Sequence, residues 1–188
     1  ADLRVGDRPI RDPSAKLMLD IPFAWARGTV FLDKTHLVFD AAEVFGPKTR
    51  GSTRVDIGFK PTGPLDLTAD VYDADLSDFQ PLVGVELSGR GRVTGRIWGP
   101  FNKLQFEGEG DIENFSVLDI PWADRLVTKR FRSPDMKSLE LLDASATRGQ
   151  STYAGDFVFD FKPPMSLHTD VAMEDGRIED IMGAFIDL

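Results

Sequence analysis

The sequence predicts an all-β protein: an elongated, curved antiparallel sheet with a half-open groove, built from two tandem repeats with short capping helices. Three observations predict this fold class. Apolar and polar residues alternate over long stretches, glycine and proline separate those stretches, and one half of the chain resembles the other. With 188 residues, of which 41% are hydrophobic, the chain can form one ordinary domain or two small repeats around a real core.

The alternation has a period of two, which is typical of strands with one apolar and one wet face. It is clearest around Val93 and Ile97, which alternate with polar residues. Gly99-Pro100 and Pro163-Pro164 are among the pairs that separate the runs and favour turns. Because strands joined by short turns pair with their neighbours in sequence, we expect antiparallel meanders.

The apolar side of these strands is predicted to line the groove. The alternation places side chains of this kind along most of the chain. The predicted groove-lining residues are Leu37, Phe39, Val55, Ile57, Phe59, Leu65, Leu67, Val71, Leu87, Val93, Ile97, Leu104, Phe106, Ile112, Phe157, Phe159, Phe161, Leu167 and Val171.

Segments of the chain recur about a hundred residues apart. Residues 19–24 (LDIPFA) return as LDIPWA from residue 118, and three further matches follow in the same order. They predict a first repeat over residues 1–83, truncated at its start, and a second over residues 84–188 that ends in the start of a following unit. Phe59 and Phe161 should then occupy equivalent inward positions. The alternative is that similar strands and turns arose independently.

Two segments depart from the strand pattern. Ser77, with Gln80 three residues later, has the spacing of a capping box and predicts a short helix. An equivalent helix is expected over residues 179–185. Residues 124–132 are locally basic and are predicted to form a mobile loop.

Five glycines, Gly89, Gly91, Gly95, Gly108 and Gly110, lie on the apolar side of their strands. Glycine weakens the interior of a strand, so each position needs a reason. Bulges or close packing are one explanation. The other is a curved face that leaves room for a ligand.

Composition and charge argue against several functions. The net charge of −9 disfavours nucleic acid as a partner, and the absence of cysteine excludes disulfides and thiolate metal sites. His36 and His168 lie on polar sides without metal-binding partners, and the acidic residues lie almost wholly on the wet side. We therefore expect no enzyme activity, no cofactor and no metal. The aspartates from Asp70 to Asp78 are expected to be a solvated strand end and a helix cap, in preference to a calcium site.

Residues 95–101 (GRIWGPF), followed by residues 104–110 (LQFEGEG), resemble the repeats of the TamB/AsmA-like proteins. In those repeats a strand ends in Gly-Pro, a strand rich in alternating glycine follows, and a capped helix follows an acidic strand. The resemblance extends from about residue 19 to the end. It implies a β-taco, a long U-shaped antiparallel sheet with an apolar interior, and it carries no catalytic residues.

The resemblance also implies a function. This chain would be an internal segment of a periplasmic protein whose parent is anchored in the inner membrane of diderm bacteria. Its groove would conduct or shield phospholipid acyl chains between the two membranes. Another part of the parent would contact an outer-membrane barrel of the Omp85 type. Because each CH₂ exposed to water costs about 0.8 kcal/mol, an apolar groove suffices for transport without chemistry.

Three alternatives remain open at this point. The same sheet could shelter outer-membrane protein strands by β-augmentation, as an assembly scaffold or chaperone. The chain could also be a closed β-sandwich that serves as a spacer or adhesin module. The third alternative is a carbohydrate-active β-solenoid, which would need an opposed carboxylate pair in a cleft. A conduit must stay partly open, so a charge introduced at Phe159 is expected to cost less stability than a buried charge normally does.

Overall fold

The computed structural model describes residues 25–59, 64–83, 85–135, 137–177 and 179–180. Ten strands in these residues form one sheet, and each pairs antiparallel with the next in sequence. The predicted all-β, antiparallel class is therefore confirmed. The strands are β1 (Trp25–Leu32), β2 (His36–Phe45), β3 (Arg50–Gly58), β4 (Pro64–Asp75), β5 (Leu87–Pro100), β6 (Gln105–Val117), β7 (Ile120–Ser133), β8 (Ser138–Arg148), β9 (Ser151–Asp160) and β10 (Ser166–Glu174).

Short turns, stabilised by local hydrogen bonds, connect consecutive strands of the meander. Asp33 closes the β1–β2 turn, since its carboxylate accepts hydrogen bonds from the N–H groups of Thr35 at 2.6 Å and His36 at 2.8 Å. Leu118 and Asp119 join β6 to β7 with φ angles of 55° and 61°. Two consecutive residues with positive φ match the right-handed twist of the flanking strands, so this hairpin is tight.

A short helical segment joins β4 to β5. It is a 3₁₀ turn at Leu76–Phe79 followed by α1 (Gln80–Val83). The residue that caps it is Asp75, whose carboxylate accepts a hydrogen bond from the N–H of Ser77 at 3.1 Å. The predicted capping pair of Ser77 and Gln80 is wrong, because the Gln80 amide instead donates to a backbone carbonyl of β5 at 3.2 Å.

Irregularities in strand pairing shift the apolar face from one parity to the other. In β8 the register changes between Leu141 and Ala144, and the buried side chains pass from odd to even positions. β2 and β4 change in the same way, between Ala41 and Val44 and after Val71. Because a bulge bends its strand and increases the local twist, these positions curve the sheet.

Contacts between strands that are not neighbours show that the apolar face is concave. The ring centroids of Trp122 in β7 and Phe159 in β9 lie 5.7 Å apart, although β8 separates their strands. The hydroxyl of Tyr153 in β9 also donates a hydrogen bond to the carbonyl of Trp122. In a flat sheet two strands so placed would be roughly 10 Å apart and side chains would stand perpendicular to the sheet, so the Tyr153 hydroxyl could not reach that carbonyl. The sheet therefore curls toward its apolar side.

The opposite, outer face carries ion pairs that join adjacent strands. Arg96 lies 2.7 Å from Asp66, and Arg92 lies 2.8 Å from Asp70. The remaining pairs between strands in the described residues are Arg54–Asp40, Arg90–Asp75, Arg125–Asp111, Lys129–Asp143 and Arg132–Glu140. Opposite charges across neighbouring strands favour the observed pairing and keep this face wet.

The predicted loop over residues 124–132 is wrong, because this segment lies within β7. Arg125 pairs with β6, while Lys129 and Arg132 pair with β8, all on the outer face. The local excess of positive charge thus marks the wet side of a strand rather than an irregular segment.

Acidification is expected to weaken the fold through the outer-face carboxylates. Hydrogen bonds from Arg96 hold the pKa of Asp66 below its ordinary value of 3.8, and Arg125 likewise lowers the pKa of Asp111. A carboxyl group whose pKa is lower when folded contributes stability above its unfolded pKa and loses it as pH falls through the folded value. Urea titrations should show the free energy of unfolding falling as the pH drops below about 5, through the ordinary and then the lowered pKa of these carboxyl groups. Asp66→Asn should flatten this dependence, and an unchanged slope would contradict the assignment.

Two aspartates close the same kind of turn 102 residues apart. Asp78 Oδ2 accepts a hydrogen bond from the N–H of Lys48 at 2.9 Å. Asp180 Oδ2 accepts one from the N–H of Gln150 at 3.1 Å. We call each of these interactions an aspartate clasp. Apart from Glu179 and Asp180, the helix predicted over residues 179–185 lies outside the described residues.

A second hydrogen bond recurs with the same spacing beside each clasp. The N–H of Asp75 donates to Thr49 Oγ1 at 3.1 Å, and the N–H of Arg177 donates to Ser151 Oγ at 2.8 Å. The backbone around β3 and β4 is thus held at this end as the backbone around β9 and β10 is.

Asp78→Ala is expected to lower the free energy of unfolding by about 1 kcal/mol, because the N–H of Lys48 loses its partner and must be resolvated. Asp73→Ala is the matched control, since Asp73 is exposed and makes no side-chain hydrogen bond or ion pair among the described residues. Urea titration of both variants measures the difference. Equal losses of unfolding free energy in the two variants would show that the clasp does not stabilise the fold.

Candidate functional site: the concave apolar face

The concave face runs without interruption across all ten strands. The strand registers place one residue from each strand side by side along a single row. In order from β1 to β10, this row is Gly28, Ala41, Thr53, Ala69, Gly95, Gly108, Phe131, Leu141, Phe157 and Thr169. Small residues form its first six positions, and three large apolar side chains follow.

The part of this face on β5 to β9 is filled by its own side chains, and we call it the sealed section. Phe159 is only 6% exposed, and its ring packs edge-on against Trp122 and stacks near Phe161. Leu139 and Leu141 of β8 are buried beneath this cluster. Side chains within the sheet therefore occupy the space that a ligand would need here.

The part on β1 to β4 is less covered, and we call it the open section. Val30 and Leu32 of β1 are 44% and 65% exposed. Leu37 and Phe39, which pair with them from β2, are only partly buried. Apolar side chains on a concave surface that stay in contact with water are a feature of lipid and protein binding sites.

The structure explains four of the five glycines by close packing or by a bulge. The ring of Phe131 lies over Gly108, where an added Cβ would come within 2.6 Å of its Cζ atom, and a Cβ on Gly95 would lie 3.0 Å from the carbonyl oxygen of Glu107. A Cβ on Gly91 would meet the carbonyl oxygen of Asp111 at 1.9 Å, and Gly89 has a φ of 133° at a register shift. Of the two sequence explanations, bulges and close packing account for these positions.

The predicted groove-lining residues fall into three groups by burial. Nine are partly buried, namely Leu37, Phe39, Val55, Ile57, Leu67, Val93, Phe106, Phe161 and Leu167. Eight are buried, namely Leu65, Val71, Leu87, Ile97, Leu104, Ile112, Phe157 and Phe159. The two exposed ones are Phe59 at 49% and Val171 at 38%.

Phe59 and Phe161 have matching backbone positions but different surroundings. The N–H of Phe59 donates to the carbonyl of Thr35 at 2.8 Å, and that of Phe161 donates to the carbonyl of Lys137 at 2.9 Å. Phe161 nevertheless packs against the sealed section, whereas Phe59 is half exposed. The difference lies in the neighbours, since the Phe161 ring stacks near Phe159, with ring centroids 6.5 Å apart.

Sequence reasoning missed several residues of the sealed section. The large side chains that it did not predict are Phe115, Trp122, Leu126, Phe131, Leu139, Leu141 and Tyr153. A signal was available in β7, where the inward residues Leu126 and Thr128 occupy even positions before the Lys129-Arg130 pair, and Phe131 and Ser133 occupy odd positions after it. An extra residue in a strand resets the alternation, so each side of the pair has to be analysed separately.

In the described part of the chain, no group of three or more His, Cys, Asp or Glu side chains is arranged to hold a metal ion. None of its helical segments has the length and apolar character needed to cross a membrane. The carboxylates on the outer face are largely committed to arginine and lysine partners.

No protein-family model matches this chain. Neither a curated protein nor a solved structure is significantly similar to it. The resemblance to the TamB/AsmA-like proteins therefore rests on the sequence motifs alone.

Proposed function

We propose that this chain is an internal segment of a periplasm-spanning protein of the TamB/AsmA-like kind, and that its concave face conducts or shields phospholipid acyl chains between the inner and outer membranes. The observation that carries the proposal is the open section. There, Val30 and Leu32 stay exposed on the concave side. Arginine–aspartate pairs occupy the outer side of β2 to β5, and Phe31 is exposed on the outer side of β1.

The energetics favour an acyl chain as the occupant of the open section. Transfer of apolar surface out of water contributes about 25 cal/mol per Å². Both the exposed side chains and the methylene groups of a lipid would gain from contact. The outer face would remain in water, where its ion pairs need no desolvation. Within the open section such a wall would bind an acyl chain weakly along its length, which suits a lipid that slides.

The finer architecture belongs to this proposal as well. We assign two tandem β-taco repeats with short capping helices, and the recurrence of both hydrogen bonds at a spacing of 102 residues supports them. The periplasmic location and the inner-membrane anchor of the parent chain follow from the resemblance alone. So does the barrel partner of the Omp85 type.

The test compares two adjacent residues of β3 that lie on opposite faces. A photoreactive amino acid is placed at Val55, on the concave side, or at Asp56, on the outer side. The proteins are purified without detergent, mixed with vesicles of phosphatidylethanolamine and phosphatidylglycerol, and irradiated. Mass spectrometry should find acyl-chain adducts at position 55 and not at position 56. Equal labelling at both positions, or none, would overturn the proposal.

The rival function, a scaffold for outer-membrane protein strands, is supported by the free edges of β1 and β10 in the described sheet. An extended client would bind through backbone hydrogen bonds at such an edge. Photoreactive groups in β1 or β10 would then capture polypeptide, while position 55 would capture nothing. The same irradiation experiment therefore separates the two functions.

A further inference from the structure

β10 and β4 are equivalent strands, but the edge that is free in β10 is paired with β5 in β4. A Cβ on Gly51 would meet the carbonyl of Asp70, and a Cβ on Gly155 would meet the carbonyl of Asp170. The clasp and its neighbouring hydrogen bond recur at the same end of both strand pairs. β9 and β10 are thus arranged as β3 and β4 are. β4 continues to β5, whereas β10 has no second neighbour among the described strands.

The contacts of β4 with β5 show what kind of strand this edge accepts. Asp70 receives a two-pronged interaction from the guanidinium of Arg92 in β5, with N···O distances of 2.8 and 3.2 Å. Leu67 lies opposite Ile97, and Val71 lies opposite Val93. The added strand therefore brings a cation to the outer face and apolar side chains to the concave face.

The outer face of β10 has an uncompensated carboxylate at the matching place. Asp170 lies directly opposite Asp156 of β9, and like charges at opposed positions destabilise a strand pair. Asp156 accepts a hydrogen bond from the N–H of Asp143, whereas Asp170 makes no hydrogen bond or ion pair within the described residues. A cation supplied from the free side of β10 would offset this repulsion.

The edge itself is unprotected. β10 is nine residues long and contains neither proline nor lysine, the residues that commonly block the edge of a sheet. Eight of its nine residues are exposed. Its concave side carries Leu167 and Val171, the counterparts of Leu67 and Val71.

We propose that the free edge of β10 takes up an antiparallel strand of the β5 type from the same polypeptide, with an arginine that pairs with Asp170 as Arg92 pairs with Asp70. A second copy cannot supply this strand, since its own β5 lies between β4 and β6. Asp170 sets the register, because a shift by one residue would turn the arginine to the concave face. This inference rests on the tandem repeats of the proposed function, but not on whether the concave face carries lipid.

The experiment supplies such a strand in the proposed register. The spacing of 102 residues places Leu188 at the position of Glu86, so a copy of residues 87–117 is joined directly after Leu188 in the full chain. Cysteine replaces Val171 and the appended copy of Val93. Because the natural chain has no cysteine, any disulfide reports this pair alone. Val71→Cys with Val93→Cys in the original chain is the positive control, since these residues are paired in the sheet.

Mild oxidation should form the Val171 disulfide at a rate close to that of the control. Asp170→Arg should slow it about fivefold, as expected for loss of a favourable charge pair between strands. In the Asp170→Arg variant, replacement of the appended copy of Arg92 by aspartate should then restore the rate of disulfide formation. Urea titration of each variant confirms that the original sheet is folded.

Three results would overturn the proposal. If the control cross-links and the Val171 pair does not, β10 takes up no such strand. If a cysteine at Thr169 cross-links faster than one at Val171, the register is wrong. Equal rates for Asp170→Arg and the parent would show that Asp170 has no part in the choice of strand.

Discussion

Phe159→Asp is expected to unfold the chain at room temperature. Removal of a buried phenylalanine costs about 3–5 kcal/mol, and an unpaired carboxylate in its place adds several more. The sum is comparable with the total stability of a typical domain, about 5–15 kcal/mol. At 6% exposure between Trp122 and Phe161, the new charge has no route to water. Far-UV circular dichroism and urea titration measure the loss.

Phe59→Asp is the matched control, because the same substitution is made at a residue that is 49% exposed. We expect a loss of no more than about 1 kcal/mol there, since the carboxylate stays in water. This pair of results replaces the expectation from sequence that a charge at Phe159 would be tolerated. If Phe159→Asp remains folded, the sealed section opens readily, and the path proposed for lipid extends from the open section into β7–β9.

The sequence was informative where strands are regular. The alternation in β5 and β6 predicted both strands and the side that faces inward, because side-chain direction in a strand depends only on parity. The alternation fails in β7, where the basic residues predict a loop although the segment is a strand. Parity holds only between bulges, and the positions of bulges depend on the partner strand.

The candidate site was predictable as a face but not as two sections. Alternation placed Val55 and Phe159 on the same side, which agrees with the strand registers. It could not show that one is partly exposed and the other sealed. That difference comes from curvature, which brings Trp122 across β8 to Phe159. Contacts of this kind leave no periodic signal in the sequence.

The aspartate clasps show a different limit of prediction from sequence. The match between residues 76–79 and 178–181 was visible in the sequence and gave the spacing of 102 residues. The function of Asp78 within it was not, since its partner is the backbone N–H of Lys48, and any residue except proline supplies that group. Recurrence in sequence therefore indicated where to look without indicating what the residue binds.

Gly108→Ala is expected to lower the free energy of unfolding by about 3 kcal/mol, although alanine is ordinarily the better residue in a strand. The added Cβ would lie 2.1 Å from the carbonyl oxygen of Thr94 and 2.6 Å from the ring of Phe131. The ring can move, but the carbonyl belongs to the backbone of β5 and is fixed by the sheet. Relief of the clash therefore requires two strands to separate locally. Urea titration at neutral pH measures the cost.

Gly110→Ala provides the comparison within the same strand. Its added Cβ would have Thr128 as its nearest neighbour, at 3.7 Å, an ordinary contact. We expect this variant to keep its stability or to gain about 0.5 kcal/mol, because alanine restricts the unfolded chain more than glycine does. Equal effects at the two positions would contradict the close packing of Phe131 over Gly108. If both variants keep full stability but lose acyl-chain labelling at position 55, the glycines leave room for a ligand, which was the alternative explanation for their presence on the apolar face.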